Sequence, residues 1–140
     1  MTIDQYVMGV VPYEMPASWH PEAVKSQAVA ARTYATWSRN QNFRRHYQIC
    51  DTTACQVYGG VDGEDSRSNA AVRATRREIL TYGGKPAFTQ FSASSGGWTS
   101  RGSVPYLPAQ PDPYDGWEGN SNHRWTTTVD AAQLERAHPS

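Results

Sequence analysis

Pro21-Glu22-Ala23-Val24-Lys25-Ser26-Gln27-Ala28-Val29-Ala30-Ala31-Arg32-Thr33-Tyr34-Ala35 is the stretch on which the fold turns. Val24, Ala28, Ala31 and Ala35 recur with a 3.6-residue rhythm, which predicts a helix from Pro21 to about residue 38. Proline is favoured in a first helical turn, and Glu22 complements the positive end of the helix dipole. The small residues on this face imply close approach to another backbone.

Upstream, Thr2-Ile3-Asp4-Gln5 fits a capping box, with Thr2 as N-cap and Gln5 reaching back. Tyr6, Val7, Val10 and Val11 follow at helical spacing. Pro12 and Pro16 are expected to end the run, which leaves Glu14 at a helix exit. Downstream, residues 39–69 are polar and turn-rich. A third helix is predicted from Ser66 to Arg76, then a strand from Glu78 to Tyr82. Gly83-Gly84 reads as a hairpin turn and Pro86 to Ser92 as the return strand. From Ser94 the chain reads as loop, until a strand from Trp125 to Val129 and a short helix capped by Asp130. The expectation is an α+β fold, residues 1–140 forming one compact domain with helices early and antiparallel strands after.

Composition narrows the function. Thirteen basic residues balance thirteen acidic ones, whereas nucleic-acid binding normally leaves a basic excess. Mean hydropathy is −0.70, so the core must be economical. Five Trp and eight Tyr exceed what a small core absorbs, so some rings should be exposed as contact surfaces. No stretch approaches a membrane span or a signal peptide. Patterned sequence begins at residue 2, as expected of a domain cut from a longer exported protein.

Four features could carry chemistry. Glu14 is the sole acid from Tyr6 to Met15. Apolar neighbours disfavour a carboxylate, the condition for a general acid; the plain alternative is an exposed Glu in a turn. Ser94-Ser95-Gly96-Gly97 with Thr99 combines hydroxyls with glycines that permit close ligand approach, although such loops are also simply flexible. Ser94 lacks the Gly-x-Ser-x-Gly elbow of a seryl nucleophile. Arg32 could orient Glu14 or meet a substrate carboxylate, or lie on a solvated face. Cys50 and Cys55 are preferred as a disulfide, with His46, Cys50 and Cys55 as the alternative zinc ligands and no evident fourth.

Beyond these local readings, the ordered motifs resemble the SpoIID/LytB domain family. They are Tyr6 to Pro16 with Glu14-Met15-Pro16, Ser18-Trp19, Glu22 to Tyr34, Cys50 to Gly60, Leu80 to Lys85, Ser94 to Gly97 and Pro105 to Leu107. The resemblance implies an extracytoplasmic, cell-wall protein that acts on peptidoglycan glycan strands. One branch consists of lytic transglycosylases, the other of proteins that stimulate a cell-wall amidase. It places the catalytic acid at Glu14 and cleft residues at Arg32, Gln56, Tyr58, Ser94, Ser95, Gly96, Gly97 and Thr99. No cofactor is expected, although some members hold zinc near the His46, Cys50 and Cys55 positions. Phe91 stands where relatives often carry Tyr, so one cleft hydroxyl is missing.

Overall fold

The computed structural model describes residues 1–130 and Arg136, and the chain divides into two compact units, Met1–Phe91 and Ser92–Ser140. The fold class is α+β, as the patterning predicts. In the first unit, α1 (Ile3–Glu14), α2 (Pro21–Gln41) and α3 (Ser66–Ala74) pack against one another. Their shared core is Tyr6, Val7, Val10, Val11 and Val24 with Ala28, Ala31, Ala35, Ala71 and Val72. Such short side chains let the helix axes come close, so a weakly hydrophobic sequence still closes a core. No helix among the described residues is long and apolar enough to cross a membrane.

The capping box at Thr2 is formed: Thr2 Oγ1 accepts from the Gln5 N–H, and Gln5 Oε1 accepts from the Thr2 N–H. Pro12 does not end α1 but lies inside its last turn. Its missing N–H removes one ladder bond near a terminus, where the loss is tolerable. The nearby Gly9 carbonyl accepts from the Gly59 N–H at 3.0 Å, which pins the 56–60 segment onto the helix. α2 runs three residues further than its apolar rhythm suggests, to Gln41.

α3 stops two residues short of Arg76. The Thr75 hydroxyl turns back to the Ala71 carbonyl, and Arg77 takes the left-handed conformation at φ 69°. It is the only non-glycine residue with positive φ among the described residues, a conformation that costs an L-residue about 1–2 kcal/mol.

The predicted hairpin is present but shorter than expected. β1 (Thr81–Tyr82) pairs antiparallel with β2 (Lys85–Pro86), in register Thr81↔Pro86 and Tyr82↔Lys85. Gly83 and Gly84 both have positive φ, as a two-residue primed turn requires. One more bond, from the Ala87 N–H to the Leu80 carbonyl, continues the pairing, but the flanking segments also bond to α2. Leu80 N–H donates to Thr33 Oγ1, and Thr89 Oγ1 donates to the Ala30 carbonyl.

In the second unit, β3 (Trp98–Thr99) pairs antiparallel with β4 (Gln110–Pro111), where the sequence read as loop. Two residues are too few to show a hydrophobic alternation. Trp125 to Val129, expected as a strand, has no regular secondary structure, and Trp125 and Val129 are both exposed. The short helix expected after Asp130 falls outside the described residues, Arg136 excepted.

Candidate functional site

Glu14 ends α1, and the chain turns away at Met15, whose N–H caps the Val11 carbonyl. Half-buried, its Oε1 accepts from the Val57 N–H at 3.0 Å. Oε2 has no partner among the described residues. Glu14 thus lines a groove of about 320 Å³, together with Gln56, Val57, Tyr34, Phe88 and Phe91. That volume lies at the low end of small-ligand sites. Tyr34, Trp37 and Phe88 form an aromatic cluster at this groove, with the Trp37 and Phe88 centroids 4.5 Å apart. Glu14 is the one carboxylate among the described residues on the groove lining. Asp51 lines a different groove, and Glu64 accepts from Asn69 Nδ2 at 2.7 Å.

Gln56 shares this groove, and its carboxamide is 2% exposed with neither Nε2 nor Oε1 bonded to any described residue. An unsatisfied buried amide is costly, and a ligand carrying its own donor and acceptor would relieve that cost. Tyr6 has a buried hydroxyl without a partner among the described residues; burial first, then the nearby Tyr34 and Glu14, pushes its pKa up.

Other residues expected in a cleft lie elsewhere in the first unit. Arg32 is 3% exposed and its guanidinium is fully engaged. Nε donates to Asp4 Oδ1 (2.8 Å), Nη2 to the Val72 carbonyl (2.8 Å), and Nη1 to Thr75 Oγ1 and the Glu78 carbonyl (3.3 Å each). It joins three helices and does not line the Glu14 groove. Tyr58 stacks on Tyr6 at 5.3 Å and points its hydroxyl at Met1 Sδ.

Cys50 and Cys55 form a disulfide, and Cys55, Thr53 and Ala54 border the Glu14 groove. His46 packs edge-on against Tyr47 at 4.7 Å, and no cluster of metal ligands occurs among the described residues. Reducing the disulfide is expected to cost about 2 kcal/mol, the value of so short a closed loop. The measurement is the thermal midpoint with and without dithiothreitol. An unchanged midpoint would mean that backbone bonds such as Cys55 N–H to the Thr52 carbonyl hold the loop alone.

In the second unit the Ser-Gly-Gly loop is organised around Asp115, a residue that sequence patterning did not single out. Asp115 Oδ1 accepts from Ser94 Oγ (2.7 Å) and from the Ser95 N–H (2.8 Å), and Oδ2 faces His123 Nδ1 at 2.6 Å. A carboxylate can only accept, so Nδ1 carries the proton. Ser95 Oγ donates to Asp112, and Thr99 Oγ1 donates to the Pro108 carbonyl. The hydroxyls expected to meet sugar are therefore spent within the unit. Ser94 bonds Asp115 rather than His123, so the nucleophile–base contact of a seryl enzyme is missing. Gly96 and Gly97 do have positive φ, consistent with the glycine requirement. A lone Asp and a lone His, 21 and 29 positions past Ser94 by the numbering, offer no local pattern from which to find them.

The His123 and Ser94 bonds hold the Asp115 carboxyl well below the usual carboxylate range. A depressed folded value contributes stability that is complete above about pH 4, the unfolded value, and is lost as pH falls through the folded one. The Ser95 amide should therefore stay protected from hydrogen exchange down to about pH 4 and lose protection only in stronger acid. Loss between pH 7 and 5 would contradict this network.

The described residues thus place one carboxylate in an aromatic-lined groove at the exit of the first helix of an α+β scaffold. The chain belongs to the stage II sporulation protein (SpoIID) family, whose model matches residues 1–82. It is 41% identical over 133 residues to the amidase enhancer of Bacillus subtilis (strain 168), covering 91% of this chain and 17% of that protein. It is also 31% identical over 155 residues to stage II sporulation protein D of the same organism, covering 96% of this chain and 45% of that protein. Stage II sporulation protein D of Bacillus amyloliquefaciens is 34% identical over 134 residues, or 81% of this chain and 39% of that protein. The chain spans less than half the length of each of these relatives.

Proposed function

We propose that the domain is a peptidoglycan lytic transglycosylase with Glu14 as its acid and base. The observation that carries this reading is that Glu14 is the only carboxylate among the described residues lining its groove. Hydrolytic glycosidases need two carboxylates, one acid and one base or nucleophile. A transglycosylase needs one, because the substrate supplies the nucleophile. Glu14 donates the proton on Oε2 to the oxygen joining N-acetylmuramic acid to N-acetylglucosamine, and the C1–O bond breaks. The C6 hydroxyl of the same muramic residue attacks C1 and returns its proton to Oε2, which closes the 1,6-anhydro ring. The Val57 N–H on Oε1 fixes the carboxyl orientation through both steps. Tyr34 and Phe88 offer apolar ring faces to the sugar, and the free Gln56 carboxamide suits an acetamido group. Action on exported cell-wall glycan belongs to the same proposal.

The test is digestion of glycan strands stripped of stem peptides, with products read by mass spectrometry. Products one water lighter than hydrolysis products are expected. Ordinary reducing ends would mean muramidase chemistry.

The similarity to a protein named amidase enhancer supports a second reading, in which the groove holds glycan without cleaving it and the domain stimulates a cell-wall amidase. Strand binding without turnover, coupled to faster amidase action, would favour it.

A further inference from the structure

The first unit holds a second groove besides that of Glu14. It measures about 780 Å³, and the two share no lining residue. Three guanidiniums line it, Arg32, Arg39 and Arg77, against one carboxylate, Asp4. Arg32 and Asp4 satisfy each other at 2.8 Å. Arg39 and Arg77 have no acidic partner among the described residues, and His46 lies on the same lining. Ile3, Ile49, Ile79 and Tyr47 supply its apolar part. We propose that this groove binds the free C-terminal carboxylate of a short peptide with small apolar side chains.

Solvated arginines are ordinary on a convex surface, but two observations set this pair apart. The groove is concave and partly apolar, so field lines from the guanidiniums are focused rather than dissipated into water. Arg39 also stands in the last turn of α2, where a cation is favoured in any case, so the argument rests more on Arg77. Arg77 holds its side chain at the groove from the left-handed backbone conformation that follows α3. Glycine or asparagine takes that position without strain, and an arginine needed only for solubility could sit anywhere exposed. Strain retained at a ligand-sized groove points to a use for the side chain.

The ligand class follows from the lining. A guanidinium fork matches a carboxylate bidentately. The apolar part of the lining, Ile3, Ile49 and Ile79, accepts alanine-sized side chains beside the carboxylate that the guanidiniums hold. The inference is independent of the chemistry proposed for Glu14.

The test uses the 140-residue chain with N-acetyl-Ala-Ala-Ala as the free acid, the same peptide as its C-terminal amide, and inorganic phosphate, followed by ¹H–¹⁵N NMR. The acid should shift the resonances of Arg39, Ile49, Arg77 and Ile79, and bind at least about tenfold more tightly than the amide, as a charge-assisted contact predicts. Arg77→Gly removes the cation and relieves the positive φ together. It should keep or raise the thermal midpoint by a few degrees while weakening the acid by about tenfold. Equal binding of acid and amide overturns the proposal. So does phosphate that matches the acid, which would leave only a non-specific anion patch. A fall in midpoint for Arg77→Gly would show that the side chain serves the fold instead, and perturbation centred on Glu14 would assign the peptide to the other groove.

Discussion

Glu14→Gln is expected to abolish release of 1,6-anhydromuramyl products from denuded glycan strands. The loss should be about two to four orders of magnitude in turnover, the usual contribution of a positioned acid and base. Glutamine matches glutamate in shape, and its Oε1 can still accept from the Val57 N–H. What it cannot do is release a proton to the leaving oxygen or take one from the C6 hydroxyl. The thermal midpoint should therefore move by no more than about 2 °C, since a half-exposed isosteric change away from the core alters stability by only about 0.5 kcal/mol. Turnover and midpoint together separate a chemical defect from a folding one. If wild type and variant both bind strands and neither cleaves them, Glu14 is a ligand contact and the enhancer reading stands in its place.

The sequence made the helical half of the fold legible because local and tertiary signals agree there. The capping box at Thr2, Pro21 in a first turn and the Val24–Ala28–Ala31–Ala35 stripe all name the elements that pack. The strands were harder to read. Leu80 and Thr89 carry β-compatible neighbours, yet their polar groups are satisfied by Thr33 and Ala30 of α2, a tertiary choice that no two-residue alternation announces. At the site, Glu14 and Gln56 were legible through their motifs and do share a groove. The backbone N–H of Val57, which orients Glu14, leaves no trace in residue type.

The hydroxyls of Ser94, Ser95 and Thr99 read as sugar contacts because hydroxyl composition is the same whether the partner is a ligand or the protein. Arg32 was open to a better reading. It lies four residues past Ala28 and three before Ala35, on the very stripe that fixes α2 in the core. An arginine on a buried stripe must have its donors satisfied inside the protein, and a cleft contact would leave that stripe interrupted.

Arg32→Ala is accordingly expected to be the most damaging single change to the fold, lowering stability by about 3–5 kcal/mol. The ion pair with Asp4 is not the main cause. Asp4 is 29% exposed and also approaches Arg76 at 3.6 Å, so water and a second cation remain to it. The larger cost falls on the carbonyls that Arg32 reaches at the end of α3, where Val72 would keep only a 3.5 Å contact from Thr75 Oγ1. The Val72 carbonyl, on a wholly buried residue, loses a 2.8 Å bond, and the Glu78 carbonyl loses its link to α2. A cavity is left as well, because the side chain is almost wholly buried. Arg32→Lys keeps the charge and much of the volume but replaces a planar fork reaching four acceptors with one point donor, so about 1–3 kcal/mol should still be lost. Thermal unfolding of both variants measures the loss, and strand binding well below their midpoints tests the alternative role. A structural Arg32 predicts depressed midpoints with strand affinity intact in the folded protein; normal midpoints with weakened binding would return the residue to the cleft.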